Sequence, residues 1–169
     1  MEEIVNRVAK SPLLSIDLED YLHPGDRVVF DLKDQLFQGM VLREKDFRTF
    51  IKEHDWSYYN EKNVGVICST DAIVPTWAYM LLVTSIKEHA NTITFGGEDA
   101  IEKSVIDQAI EKCLAENDFE GQKVVIKGCG NIKNVEYAYT SFTSKVFPKV
   151  TSLMYGEPCS TVPIFKRKK

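Results

Sequence analysis

Asn63-Val-Gly-Val-Ile-Cys-Ser-Thr-Asp-Ala-Ile-Val-Pro-Thr-Trp-Ala-Tyr79 decides how this chain is read. Val64 to Cys68 is a short apolar run of the kind a buried strand needs, and Ser69-Thr-Asp71 is a polar turn. Pro75, pre-set for a first helical turn, then opens a helix expected to run to about His89. Strand, polar turn and helix make a βα unit, and Thr92-Ile-Thr-Phe95 completes it as a second strand stopped by Gly96-Gly97. The same order returns downstream in Lys123-Val-Val-Ile-Lys127, the turn Gly128-Cys-Gly-Asn131, a helix, and Leu153-Met-Tyr155 before Gly156.

Residues 63–100 register on residues 123–160 at an offset of 60 for most of their length. Ala78-Tyr79 falls on Ala138-Tyr139, Trp77 on Tyr137, Ile86 on Val146, Ile93 on Leu153, Phe95 on Tyr155 and Gly96 on Gly156. Cys68 falls on Cys129 at an offset of 61. Any two βα units share apolar strands, but aromatic on aromatic with a glycine at fixed distance points to a duplicated β-α-β unit. Two copies are too few for a solenoid. The expectation is therefore two units side by side in one sheet, with right-handed crossovers and covering helices.

Upstream, Ser15-Ile-Asp-Leu-Glu-Asp20 alternates like a half-buried strand and Pro24-Gly-Asp26 turns the chain. Arg27 to Asp34 puts Val28, Phe30 and Leu32 on one face, and Leu36 to Leu42 offers a stretch that closes an antiparallel hairpin. Phe47, Phe50, Ile51 and His54 form one stripe of a helix from Arg43 to about Trp56. Ile101, Val105, Ile106, Ala109, Ile110, Cys113 and Leu114 form the stripe of a longer one, ended by polar Glu116 to Lys123. The fold class expected is α/β. It consists of a mixed, mostly parallel sheet with an N-terminal antiparallel hairpin, two repeated β-α-β units and covering helices, in a single domain over residues 1–169.

Composition narrows the function classes. With 44% hydrophobic and 27% charged residues the chain is too apolar to stay disordered and needs no metal or disulfide to fold. A formal charge of -4 leaves no broad footprint for nucleic acid. The longest nearly apolar run, Ala72 to Val83, is broken by Pro75 and Thr76 and is too short to span a bilayer. Met1-Glu-Glu3 is acidic and has no apolar signal core, so a cytoplasmic chain with reduced thiols is expected.

In α/β sheets ligands gather at the carboxyl ends of the strands, where helix N-termini present free N–H groups. Cys68 and Cys129 both stand at such ends, and Cys159 follows the end of the repeated strand by a turn. Three thiols on one rim are soft donors suited to iron-sulfur species or zinc, with a fourth ligand from a partner, water or a carboxylate. Against this, cysteine at a strand end is commonly a small buried hydrophobe, and neither C-x-x-C nor a Cys/His cluster is present. Cys113 lies in a helical apolar stripe and reads as core.

Ser69, Thr70, Asp71, Asn131, Glu157, Ser160 and Thr161 surround the thiols, ready to orient a ligand or cap a helix; for Ser69 and Asp71, capping is the expectation. Glu98 and Asp99 complement the dipole of the long helix. Neither glycine turn completes a phosphate-binding signature. The three histidines are scattered, Trp77, Tyr79, Tyr137 and Tyr139 read as packing, and the Lys-Arg-Lys-Lys end as solvated. No catalytic residue is named by any of these patterns.

Asp31-Leu-Lys-Asp34, Leu42-Arg-Glu-Lys-Asp-Phe47, Cys68-Ser-Thr-Asp-Ala-Ile-Val-Pro-Thr-Trp-Ala-Tyr79 and Tyr155-Gly-Glu-Pro-Cys-Ser-Thr-Val-Pro-Ile164 carry a resemblance over nearly the whole chain. The chain resembles an uncharacterised family of unknown function from Bacteroidetes. What the resemblance implies is genomic company with iron-sulfur assembly, which favours the thiol reading and a protein partner in that machinery. In element order alone the chain is similar to STAS-type regulatory domains, where a serine at the start of a helix is the switch; Ser69 is the match. Two functions are therefore expected in competition. One is an accessory protein of iron-sulfur cluster or thiol metabolism, and the other a non-catalytic STAS-like interaction module.

Overall fold

The computed structural model describes residues 13–128, 130–157 and 159–168. In chain order the elements are β1 (Leu13–Ile16), β2 (Arg27–Asp31), α1 (Glu44–Glu53), β3 (Asn63–Ile67), α2 (Thr76–Ile86), β4 (Thr92–Phe95), α3 (Glu98–Glu116), β5 (Lys123–Ile126), α4 (Val135–Val146), β6 (Ser152–Glu157) and β7 (Ser160–Lys166). Single 3-10 turns occupy Leu18–Tyr21, Leu32–Gln35 and Trp56–Tyr59. The chain divides into two compact units, an inserted unit from His23 to Val105 and a flanking unit from the residues on either side of it.

In the inserted unit β2, β3 and β4 form a parallel sheet in that order. Phe30, Val64, Val66, Ala78, Leu82 and Ile86 are buried together there, with Phe47 of α1. In the flanking unit the order is β1-β5-β6-β7, parallel except for β7, which runs antiparallel to β6. Ile16, Val124, Ile126, Ala138, Phe142, Val146 and Leu153 form its core with Ile106, Ile110 and Cys113 of α3. Apolar runs such as Val64-Gly-Val66 and Val124-Val-Ile126 suit strands buried in parallel sheets.

The α/β class and the mostly parallel pairing are as the sequence predicts; the placement of several strands differs. Arg27 to Asp34 and Leu36 to Leu42 do not close an N-terminal antiparallel hairpin, because β2 pairs in parallel with β3; β1 likewise pairs in parallel with a later strand, β5. The antiparallel pair lies instead at β6–β7, and the Leu36 to Leu42 stretch yields one antiparallel bridge, Phe37 to Val41. β3 and β5 likewise belong to separate sheets, so the two β-α-β copies do not share one.

Both early strands are shorter than expected for one reason. Asp17 accepts the N–H of Glu19 at 3.1 Å and Asp31 that of Lys33 at 3.0 Å, and each aspartate thereby bends the chain into a 3-10 turn. Ile16-Asp-Leu-Glu-Asp-Tyr-Leu22 and Phe30-Asp-Leu-Lys-Asp-Gln-Leu36 are two copies of that strand end, with Leu18 and Leu32 buried. The likeness between the units therefore extends to an opening strand in each, a match that offset 60 cannot reveal because the two stretches lie close together in sequence.

Several matched positions of the two segments are alike in three dimensions. Ala78, Leu82 and Ile86 of α2 and Ala138, Phe142 and Val146 of α4 are all buried at corresponding positions. Tyr79 meets Phe95 edge-on at 5.6 Å, as Tyr139 meets Tyr155 at 5.4 Å. Gly96 and Gly156 both adopt positive φ, +125° and +118°, where a side chain is strained.

α2 starts at Thr76 with Pro75 as its N-cap, so the expected capping by Ser69 or Asp71 does not occur. β7 contains Pro163, which argues against a strand in a sequence reading but is tolerated at a sheet edge.

Candidate functional site

Two places at the carboxyl ends of the strands gather polar and aromatic groups. In the inserted unit the Asp31 carboxylate, already capping its 3-10 turn, also accepts the Ser69 N–H at 3.0 Å and the Ser69 hydroxyl at 2.5 Å. Burial works to raise this carboxyl, but the Ser69 hydroxyl, the two backbone N–H groups and the Lys33 ammonium outweigh it and hold it at about 2. Ser69 is thus tied to the neighbouring strand end, upstream of α2 rather than at its start. Cys68, half-buried, directs its thiol to the carbonyl of Thr70 at 3.7 Å. Burial, with the nearby Cys68 and Asp31, pushes the Tyr79 phenol up.

The corresponding corner of the flanking unit is built differently. Glu19 reaches across to accept the N–H of Asn131 at 3.1 Å. The Tyr139 hydroxyl donates to the Lys127 carbonyl at 2.8 Å. A Cβ on Gly128 would lie 2.3 Å from the Tyr155 hydroxyl oxygen, so glycine is what lets that ring lie against the strand end.

Beside this ring opens a groove of about 540 Å³, within the range of small-ligand sites. One wall is α4, through Val135, Tyr139 and Thr143, with Phe147 just past its end; the other is Tyr155 of β6 with Ile164 of β7. Glu136, Thr140 and Ser144 also line it, and Glu136 is the charged residue in the lining. β7 creates this second wall. No sequence pattern marked the groove, since its residues are ordinary apolar and hydroxyl side chains brought together by the β6–β7 pairing.

The residues singled out from sequence are divided between the two units. Cys68 follows β3 in one sheet, and exposed Cys159 lies in the β6–β7 turn of the other, so neighbouring strands do not gather them on one rim. Cys129 lies outside the described residues. Ser69, Asp71, Asn131 and Ser160 are exposed and Glu157 is half-buried. Among the described residues no three His, Cys, Asp or Glu side chains are grouped to hold a metal ion. Cys113 is core as expected, and burial pushes its thiol up to about 11. No helix among the described residues is long and apolar enough to cross a membrane.

Fold and site define a mostly parallel α/β protein with an apolar groove in its flanking unit. The chain belongs to the family described as protein of unknown function (DUF2480), whose model matches residues 2–167. No curated protein and no solved structure matches it.

Proposed function

We propose that this protein is a non-catalytic interaction module whose groove between α4 and β6–β7 takes an apolar anchor side chain of a protein partner. The groove carries the reading: its walls are aromatic and branched aliphatic, as buried interface anchors require. Glu136 at its margin favours an anchor flanked by lysine or arginine, by charge complementarity. Selection from a random peptide library against the full chain tests this. The expected outcome is enrichment of an aromatic or aliphatic residue beside a basic one, with binding lost in Thr140→Trp, which fills the groove from the exposed face of α4. Enrichment of acidic peptides, or binding indifferent to Thr140→Trp, overturns it.

An accessory role in iron-sulfur or thiol metabolism is the second reading, supported by the free and solvent-reachable thiols of Cys68 and Cys159. Each thiol then acts singly, with a partner completing any ligand set for an iron-sulfur species or zinc. Anaerobic purification with metal and sulfide analysis decides it. Metal or labile sulfide that disappears in Cys68→Ala or Cys159→Ala supports the role; a protein free of both, with thiols no more reactive than free cysteine, removes it.

A further inference from the structure

The groove lies where a row of helices stops. α4 packs on one face of the flanking sheet through Ala138, Phe142 and Val146, which are buried with Val124, Ile126 and Leu153. On one flank α4 meets α3, where the Tyr137 hydroxyl donates to the Asp107 carboxylate at 2.9 Å and Lys145 pairs with Glu111 at 2.6 Å. Its other flank is the groove wall, which faces Tyr155 of β6 and Ile164 of β7. Among the described residues the flanking unit has no further α-helix to continue the row over these two strands.

The dimensions are those of a helix. α4 presents its wall from Val135 to Phe147, about 18 Å at ~1.5 Å per residue and so about three turns. A groove of about 540 Å³ also holds more than one anchor side chain, and apolar residues at i, i+3, i+4 and i+7 of one partner helix enter it together. Hydrogen bonding selects the same conformation. The Tyr139 hydroxyl is engaged by the Lys127 carbonyl, that of Thr140 by the Glu136 carbonyl at 2.6 Å and that of Ser144 by the Ser141 carbonyl at 2.8 Å. An extended segment laid here would bury its backbone N–H and C=O groups against apolar side chains and hydroxyls whose hydrogens are already donated, whereas a helix bonds those groups internally. A strand added to β7 would lie in the plane of the sheet, beside the groove and not in it.

Charge sets the direction. Glu136, the charged side chain of the lining, stands at the amino end of α4, where it complements the partial positive charge of a helix amino terminus; Lys127, Lys133 and Glu157 are outside the lining. Past Phe147, at the other end, Arg167 donates to the Pro148 carbonyl at 2.7 Å and Lys149 follows, both exposed and suited to a helix carboxyl terminus. Of the carboxylates towards that end, Glu111 pairs with Lys145 and Asp118 accepts the Glu120 N–H, while Glu120 stands against Lys149, Arg167 and Lys168. We infer that the groove seats an amphipathic helix of the partner, about three turns long, lying parallel to α4 with its amino end at Glu136. This rests on the groove being a partner site and adds the conformation and direction of what binds there.

Two displayed peptide libraries, each selected against the full chain, test the inference. Both carry leucine, isoleucine, methionine, phenylalanine or tryptophan at i, i+3, i+4 and i+7 on a framework of about fourteen residues; one framework is alanine-rich and stapled as a helix, the other is interrupted by central prolines. The expected result is helical binders that weaken about tenfold or more when the prolines are introduced and that are lost in Thr140→Trp and Ser144→Trp. A nitroxide on the last residue of the tightest binder should broaden the amide resonances of Phe147 and Lys149 and spare those of Val135 and Glu136. Proline-containing binders as tight as the helical ones and equally lost in Thr140→Trp overturn the helix and leave the groove a partner site; broadening at Val135 and Glu136 in place of Phe147 and Lys149 overturns the direction inferred. Binders from neither library, the result if a second copy or an acyl chain holds the groove, or binders indifferent to both substitutions, overturn this inference together with the partner site itself.

Discussion

Ser69 donates its hydroxyl hydrogen to the Asp31 carboxylate across 2.5 Å, tying the end of β3 to the end of the adjacent β2. The carboxyl lies at about 2 in the folded chain against an ordinary 3.8. A folded value below the unfolded one stabilises the protein fully above about pH 4, and this contribution fades as the pH falls towards about 2. Asp31→Ala should therefore lose on the order of 2 kcal/mol at neutral pH and almost nothing at pH ~2. Urea denaturation of both proteins over that pH range checks it; a difference that does not shrink on acidification contradicts the assignment.

Gly96 and Gly156 are required by their backbone. At each, a Cβ would also crowd a neighbour, Ala100 Cβ at 2.6 Å and the Ser160 carbonyl at 2.7 Å. Gly96→Ala and Gly156→Ala should each destabilise by roughly 1–3 kcal/mol. Gly97, with nothing within 4 Å and no positive φ, is the control, and Gly97→Ala should stay within about 0.5 kcal/mol. Equal effects at Gly96 and Gly97 in equilibrium unfolding would count against the repeat's shared turn.

Arg27 and Glu102 form a largely buried ion pair in the inserted unit, 3.1 Å apart, and Arg27 also donates to the carbonyls of His23 and Gly25. Removing one partner leaves the other charge in a site built to neutralise it. Glu102→Ala should cost about 3 kcal/mol, and Arg27→Met with Glu102→Leu together clearly less than the sum of the single changes. Additive losses in a double-mutant cycle would show that the pair does not act as a unit.

The thiols should separate by reactivity. Cys159 is exposed, whereas Cys113 is fully buried with its thiol pushed up to about 11. Iodoacetamide at pH ~8 should modify Cys159 in the native protein and Cys113 only after unfolding. Peptide mapping reads this directly. Early labelling of Cys113 would place it outside the core.

Local patterns made much of the fold legible. The stripe from Ile101 to Leu114 foretells α3, the run Val64 to Cys68 foretells β3, and offset 60 foretells the matched Tyr79–Phe95 and Tyr139–Tyr155 corners. Each of these is a property of periodicity, which neighbouring residues impose on one another whatever lies across the sheet. Strand partners are different. Backbone hydrogen bonds join β1 to β5 and β2 to β3 with no mark in the side chains of either strand, so only the folded chain decides that the copies occupy two sheets. The same holds for β7: its Pro163 reads as a strand breaker until the edge of the sheet makes the missing N–H harmless. Cysteine positions at strand ends were determined by the sequence, but their separation into two sheets, and the groove that β7 closes against α4, follow from pairing and packing over long chain distances. Those are set by which surfaces can be buried together, a property of the whole molecule that no single stretch contains.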